Sequence, residues 1–339
     1  MKSRHIGTNE VSAIGLGCMN LSHAYGTPPA AEAAEALLLR ALDLGVNHFD
    51  TAALYGFGNN ETLVGRVLSP HRNRIYLASK CGMTGVEGKR VIDGRPATIK
   101  RTCEQALKRL RTDRIDLYYL HRWDKQVPIE ESVGALSRLV EEGKILSIGL
   151  SEVSKDTLSR AHAEHPITAL QTEYSLWTRN PEIAVLEACR ELGVAFVAFS
   201  PLARGFLTGA MRDVAHLEEK DIRRQMPRFE AGSFAENLPL LDGFQRLAEQ
   251  AGATPAQLAL AWLLERDDII LPIPGTTSIE HLEENLAATS VRLDSAQMER
   301  LDRQINQQNV VGPRYNKSNQ SEIDTEEFLS NHYGLRKEQ

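Results

Sequence analysis

Short, nearly all-apolar runs alternate with stretches of helical periodicity along most of this chain. The apolar runs are AIGLG (13–17), VNHFD (46–50), IYLAS (75–79), IDLYYL (115–120), ILSIGL (145–150), ITALQ (167–171), VAFVAF (194–199) and IILPI (269–273). A strand with water on one face alternates apolar and polar residues. A near-continuous apolar run suits a strand covered on both faces, as in a parallel sheet under packed helices. Between the runs, the spacing predicts helices over roughly 29–44, 60–68, 97–111, 129–142, 155–164, 181–192, 237–251 and 279–289. Ile99, Cys103, Ala106, Leu107 and Leu110 share one helical face; Leu241, Phe244, Ala248 and Ala251 share another. Asn180-Pro181 and Thr254-Pro255 are helix-entry signals. Gly45, Gly143 and Gly193 suit the left-handed position that ends a helix.

Eight strands alternating with eight helices predict a closed (β/α)8 TIM barrel in the α/β class rather than an open sheet. GLGC at 15–18 lacks the third glycine of a dinucleotide fingerprint, and no helix follows it. The expected organisation is one domain over 1–339. It comprises an N-terminal strand or hairpin segment, a barrel core over about 13–290, and a C-terminal helix and tail over about 294–339. Three irregular stretches, about 82–96, about 203–236 and the tail after about 306, have the length of active-site lids. The tail is polar enough to predict partial disorder.

Composition removes several function classes. A net charge of −6 over 339 residues leaves no basic footprint for nucleic acid. No apolar run approaches the roughly 18 residues that span a bilayer. The start, MKSRHIGTNEVSAIG, lacks the apolar core of a signal peptide. Cys18, Cys81, Cys103 and Cys189 form no CxxC pair, which predicts reduced thiols and a cytoplasmic protein. The expected partner is a small molecule; the sequence leaves the oligomeric state open.

In a barrel, side chains at the C-terminal strand ends face the active-site mouth. Asp50, Lys80 and His121 each close an apolar run, and Tyr55 follows Asp50 in its loop. Singly, each has an ordinary structural reading: a turn cap, a solvated lysine, a core histidine. Together at one mouth they make a proton-transfer set. A free phenol has a pKa near about 10, and a neighbouring ammonium stabilises phenolate and lowers it. Asp50 would hold Lys80, and His121 would orient the phenol or a carbonyl oxygen. The set offers a proton to a carbonyl that is gaining negative charge. A metal hydrolase is the competing barrel reading, because His48 and Asp50 share one strand face. No HxH pair or third ligand accompanies them, and Lys80 opposes a cation, so no metal is expected.

The segments GVNHFDTAALYG, YLASK, LYYLHRWD, IGLSEV, QTEYSLW, FSPLARGFLTG and PIPGTTSIEHLEEN, in that order, resemble an aldo-keto reductase. HRWD, GLSEV and MPRFEAGSF resemble the branch of plant auxin-induced-type and microbial reductases. The resemblance implies a (β/α)8 barrel that reduces aldehydes or ketones with NADPH. It carries a catalytic tetrad onto Asp50, Tyr55, Lys80 and His121, with Tyr55 as general acid. It places Met19, Asp50, Ser151 and Gln171 around the nicotinamide and stacks Phe199 on its ring. Ser200, Pro201, Leu202, Arg204, Gly205 and Leu207 would wrap the pyrophosphate, with Arg204 supplying charge. Gly275, Thr276, Thr277 and His281 fall at the 2′-phosphate, and Glu284 and Asn285 at adenine. Two departures stand out. Glu152 occupies the place of a usual Asn, and the basic residues common near Gly275, Ser278 and His281 are absent. NADP is therefore the first expectation, with NAD as an alternative. Met19, Tyr25, Phe57, Trp123 and Trp177 are candidates for an apolar substrate mouth. Arg122 would attract a substrate carboxylate or phosphate, or form a surface salt bridge. A nicotinamide-sensing protein with little turnover is the non-enzymatic alternative.

Overall fold

Residues 2–86 and 88–328 are described by a computed structural model of the chain. Eight short strands form one parallel sheet in sequence order. They are β1 (Leu16–Gly17), β2 (His48–Asp50), β3 (Tyr76–Cys81), β4 (Leu117–Leu120), β5 (Ile148–Ser151), β6 (Ala169–Glu173), β7 (Ala195–Phe199) and β8 (Ile270–Pro272). Gly15 N–H donates to the Pro272 carbonyl at 3.0 Å, and Gly17 N–H to the Pro274 carbonyl at 3.2 Å. These bonds join the edge strands and close the barrel, as the alternation of elements predicts.

Two hydrophobic clusters separate the strand residues by parity. Tyr76, Ala78, Leu117, Tyr119, Ala169, Val197 and Leu271 pack inside the barrel. Leu77, Tyr118, Leu120, Leu170, Phe196 and Ile270 pack outward under the helices. Successive strand residues face opposite sides, so Lys80 and Gln171 point inward with their strands' inner sets. An antiparallel hairpin of Ser3–Ile6 and Asn9–Ser12 covers the opposite end from the mouth. Its Ile6 and Val11 join the inner cluster, and Arg4 donates to the Asp267 carbonyl at 2.7 Å.

The outer layer contains α1 (Ala31–Asp43), α2 (Asn59–Leu68), α3 (Pro96–Leu110), α4 (Ile129–Glu141), α5 (Lys155–Glu164) and α6 (Val185–Leu192). It continues with α7 (Ala231–Gln250), α8 (Pro255–Arg266), α9 (Ile279–Ala287) and α10 (Ser295–Gln304). One expectation is corrected here. The periodic segment at 237–251 belongs to α7, an additional helix that packs on α8 and α10. The helix between β7 and β8 that covers the barrel there is α8. Residues 258–264 of α8 are all buried, so it shows no amphipathic stripe to read. Its start was legible: Thr254 caps the helix in a reciprocal capping box with Gln257.

The irregular stretch at 82–96 contains a second hairpin, Met83–Val86 with Lys89–Ile92. The tail, expected to be partly disordered, is anchored as far as residue 328. The Asp324 carboxylate accepts from Ser154 Oγ at 2.9 Å and Thr157 Oγ1 at 2.6 Å. Lys125 donates to the Ile323 carbonyl at 2.7 Å. Residues 329–339 lie outside the described set. Among the described residues, no helix is long and apolar enough to cross a membrane. All four cysteines are buried and unpaired.

Helices α2 and α3 approach so closely that a Cβ on Gly65 would stand 2.2 Å from the Arg109 carbonyl oxygen. Gly65→Ala is therefore expected to lower stability by about 1–3 kcal/mol, the usual range for overpacking. An unchanged urea midpoint would show that the helices part without cost.

Candidate active site

Asp50 ends β2, and the chain then turns back on itself. Gly56, Phe57 and Gly58 adopt left-handed backbone at φ 55°, 53° and 94°. This bend returns Tyr55 over the strand ends before α2 begins. A Cβ on Gly58 would stand 2.9 Å from the Arg109 side chain, so both backbone and space require glycine there. Asn60, buried in the first turn of α2, locks the loops together. It accepts from Thr51 Oγ1 at 2.6 Å and donates to the Cys18 carbonyl and to Ser22 Oγ, both at 2.8 Å.

The Lys80 ammonium has no solvent exposure and three partners. It donates to the Asp50 carboxylate, to the Thr51 carbonyl at 2.9 Å and to the Tyr55 hydroxyl at 3.2 Å. Gln171 Nε2 donates to the other Asp50 oxygen at 2.7 Å. The His121 ring meets the Tyr55 ring edge-on, with centroids 5.8 Å apart. His23 flanks the same phenol at 6.0 Å, a neighbour the sequence did not reveal.

Burial and charge set the protonation states. Burial and the Arg122 cation push the His121 imidazole well below its ordinary value, so the ring is neutral. Burial works against the Lys80 charge, but Asp50 and Tyr55 more than offset it and raise the lysine's pKa. The expected lowering of Tyr55 is corrected: burial disfavours the phenolate more than Lys80 favours it, and the phenol is raised above its ordinary value. Tyr55 is thus a neutral O–H at physiological pH.

Above the four residues lies a cleft of about 740 Å³. Met19, Asp50, Ser151, Gln171 and Phe199 line its floor and wall, and Ser200, Pro201, Leu202, Arg204 and Gly205 its rim. Gly275, Thr276, His281, Glu284 and Asn285 extend the lining to the start of α9, and Tyr25 and Arg122 also face it. Five expected residues lie elsewhere. Leu207 is fully buried in the shell, and Thr277 faces solvent beside the cleft. Phe57 is 58% exposed, thrown outward by the left-handed bend. Trp123 turns to the outer wall, where its indole donates to the Val127 carbonyl at 2.9 Å under Arg160. Trp177 is stacked in the core on Phe206, with centroids 4.0 Å apart. Among the described residues, no group of three His, Cys, Asp or Glu is placed to hold a metal.

The model of the aldo/keto reductase family matches residues 13–306 of the chain. The chain belongs to this family. Aldo-keto reductase yakc of Schizosaccharomyces pombe, whose name carries NADP(+), is 43% identical over 320 residues. That match covers 92% of this chain and 94% of the relative. A probable aldo-keto reductase 1 of Glycine max is 44% identical over 309 residues, 90% of this chain and 89% of the relative. Among solved structures, the glycerol dehydrogenase AKR11B4 of Gluconobacter oxydans is similar, with a TM-score of 0.82 at 28% identity. The match covers 89% of this chain and 94% of that one. The holo form of aldo-keto reductase AKR11C1 of Bacillus halodurans gives a TM-score of 0.76 at 29% identity, covering 90% and 97%.

Two buried ion pairs lie at the mouth of this aldo/keto reductase. Glu152, at a left-handed φ of 57°, is gripped by the Arg314 guanidinium of the tail and accepts Glu173 N–H at 2.9 Å. Glu173, at the end of β6, binds Arg204 at 2.7 Å. Arg204 also donates to the hydroxyls of Tyr315 (3.1 Å) and Tyr25 (3.3 Å). Burial opposes the Glu173 charge, but Arg204, Arg314 and Arg228 hold its pKa below the ordinary range. Arg204, expected to supply charge at the pyrophosphate, lines the cleft with that charge matched by Glu173. Glu152, in turn, serves the tail, while its neighbour Ser151 lines the cleft.

Removing one partner of a buried pair costs about 3–5 kcal/mol, because the other charge is stranded. Arg314→Ala is expected to lose stability in that range in urea unfolding. Adding Glu152→Gln to Arg314→Ala should recover much of it; a further loss of similar size would refute the pairing.

Proposed function

We propose that this aldo/keto reductase reduces an aldehyde or ketone to an alcohol with NADPH, and that Tyr55 donates the proton. The observation that carries this reading is the Lys80–Tyr55 contact of 3.2 Å at the floor of the cleft, with His121 beside the phenol. The residues present fit a dinucleotide. Phe199 offers a ring face, and Ser151 and Gln171 offer polar groups. Ser200, Ala203, Arg204 and Gly205 form a bend of left-handed residues at φ 48°, 50°, 57° and 94°. Such a run is costly unless function requires it, and it brings backbone close to the cleft. The start of α9, capped by Ser278, faces the far end with Thr276 and His281. A helix N-terminus and hydroxyls suit a phosphate, and the NADP(+) in the name of the S. pombe relative favours NADPH over NADH.

A nicotinamide cofactor held there would supply hydride chemistry. The chain's part is to bind and protonate. The neutral His121 and the Tyr55 hydroxyl converge on the carbonyl oxygen, and Tyr55 transfers its proton as charge develops there. Lys80 then stabilises the phenolate left behind, and Asp50, held by Gln171, keeps Lys80 charged and in place.

Tyr55→Phe is expected to lower kcat for 4-nitrobenzaldehyde at least about 100-fold, the usual worth of a general acid. NADPH binding, followed by fluorescence, should survive. Near-normal turnover would eliminate Tyr55 as the donor. Tight NADPH binding by a wild type that turns over no aldehyde would instead favour a cofactor sensor. A strong preference for NADH would reverse the cofactor ranking.

The raised phenol pKa also fixes a pH dependence. Burial holds the Tyr55 phenol above its ordinary value, so the proton donor of the reductive step is not lost between about pH 7 and 9. Alcohol oxidation needs the phenolate and should rise across the same range. A reduction rate that falls steeply from pH 7 to 9 in wild type would contradict the assigned state.

A further inference from the structure

The lysine and arginine cations around the cleft are each matched by a carboxylate, with one exception. Lys80 is matched by Asp50, Arg204 by Glu173, Arg223 by Asp221 and Arg90 by Glu322. Arg122 also lines the cleft, yet among the described residues no carboxylate pairs with it. One of its terminal nitrogens donates to the His121 carbonyl at 2.7 Å and to Ser151 Oγ at 3.3 Å. Its Nε–H is buried with no acceptor. A guanidinium has five N–H donors in a planar fork. Most of this fork is uncommitted, and its charge is uncompensated at a part-buried position.

Position selects what would satisfy it. Arg122 follows β4 and touches the end of β5. The elements suited to cofactor phosphates follow β7 and β8, across the mouth. An anion at Arg122 therefore belongs to the molecule being reduced. Because Arg122 directly follows His121, that anion and the carbonyl belong to one short molecule. Arginine is suited to such a group, since its fork meets carboxylate or phosphate oxygens in pairs.

We propose that Arg122 is a specificity-determining residue that binds a carboxylate or phosphate on the carbonyl substrate. The natural substrate class is then a small oxo acid or aldehyde phosphate. This deepens the carbonyl-reductase reading above and rests on it. The Arg122 charge also contributes to keeping His121 neutral, so the group that binds the anion helps hold the neighbouring ring in its hydrogen-bonding form.

The test compares matched aldehydes with NADPH: succinic semialdehyde against butanal, 4-carboxybenzaldehyde against 4-nitrobenzaldehyde, and glyceraldehyde 3-phosphate against glyceraldehyde. Wild type should favour at least one anionic member through a lower KM. The carboxylate and phosphate arms show which anion fits. Arg122→Gln should lower kcat/KM for the favoured anionic aldehyde at least about tenfold more than for its neutral partner. Arg122→Lys should restore part of that difference. Equal losses for charged and neutral aldehydes, or a rise confined to the KM for NADPH, would overturn the proposal. So would neutral aldehydes turning over as well as every anionic partner in wild type. No turnover of any aldehyde would overturn the reductase reading itself.

Discussion

A fully buried ammonium organises this molecule. Lys80 points into the barrel from β3, where burial opposes its charge and all three of its donors need acceptors. Asp50 on the adjacent strand, the Thr51 carbonyl and the Tyr55 hydroxyl provide them. Each acceptor imposes a further demand. Asp50 needs Gln171 from the far side of the barrel. Thr51 and its loop need Asn60, which also ties down the segment after β1. Tyr55 needs the left-handed bend at Gly56–Gly58 to come back over the lysine. The reactive phenol is thus the last member of a chain of satisfied contacts that begins with a desolvated charge.

The same logic governs the rim. A glutamate at position 152 in the buried mouth requires a cation, and Arg314, 162 positions further along, supplies it. Glu173 and Arg204 form the neighbouring pair, and Tyr315 lies against Arg204. These pairs fasten the tail to the barrel mouth. They also neutralise most of its charge, and that neutralisation makes the unpaired guanidinium of Arg122 chemically conspicuous. An unpaired cation in a partly dry cleft exerts a stronger field than the same group would in water.

Much of the fold was legible because the barrel repeats one simple rule. Strands covered on both faces read as apolar runs, and polar residues closing those runs mark the mouth; Asp50, Lys80 and His121 were found that way. Elements that break the rule were not. Buried on nearly every side, α8 has no stripe to detect, whereas α7 has one and reads as the barrel helix. Phe57 and Trp123 look like pocket aromatics by type and position, but a backbone bend and an indole hydrogen bond turn them away. Asn60 and His23 carry no local signal, since their importance lies wholly in long-range contacts.

The alternation of strands and helices, the family and the residue types at the strand ends can all be read from the chain's residues alone. These are local properties, written in hydrophobic period and in motifs. The distribution of charge among those residues emerges from the folded arrangement. The neutral, raised phenol of Tyr55 depends on how deeply it is buried against Lys80. The engagement of Arg204 and the isolation of Arg122 depend on which carboxylates come within reach. Desolvation and ion pairing are set by distance in space, and residues 162 positions apart meet only once the chain has closed into its barrel.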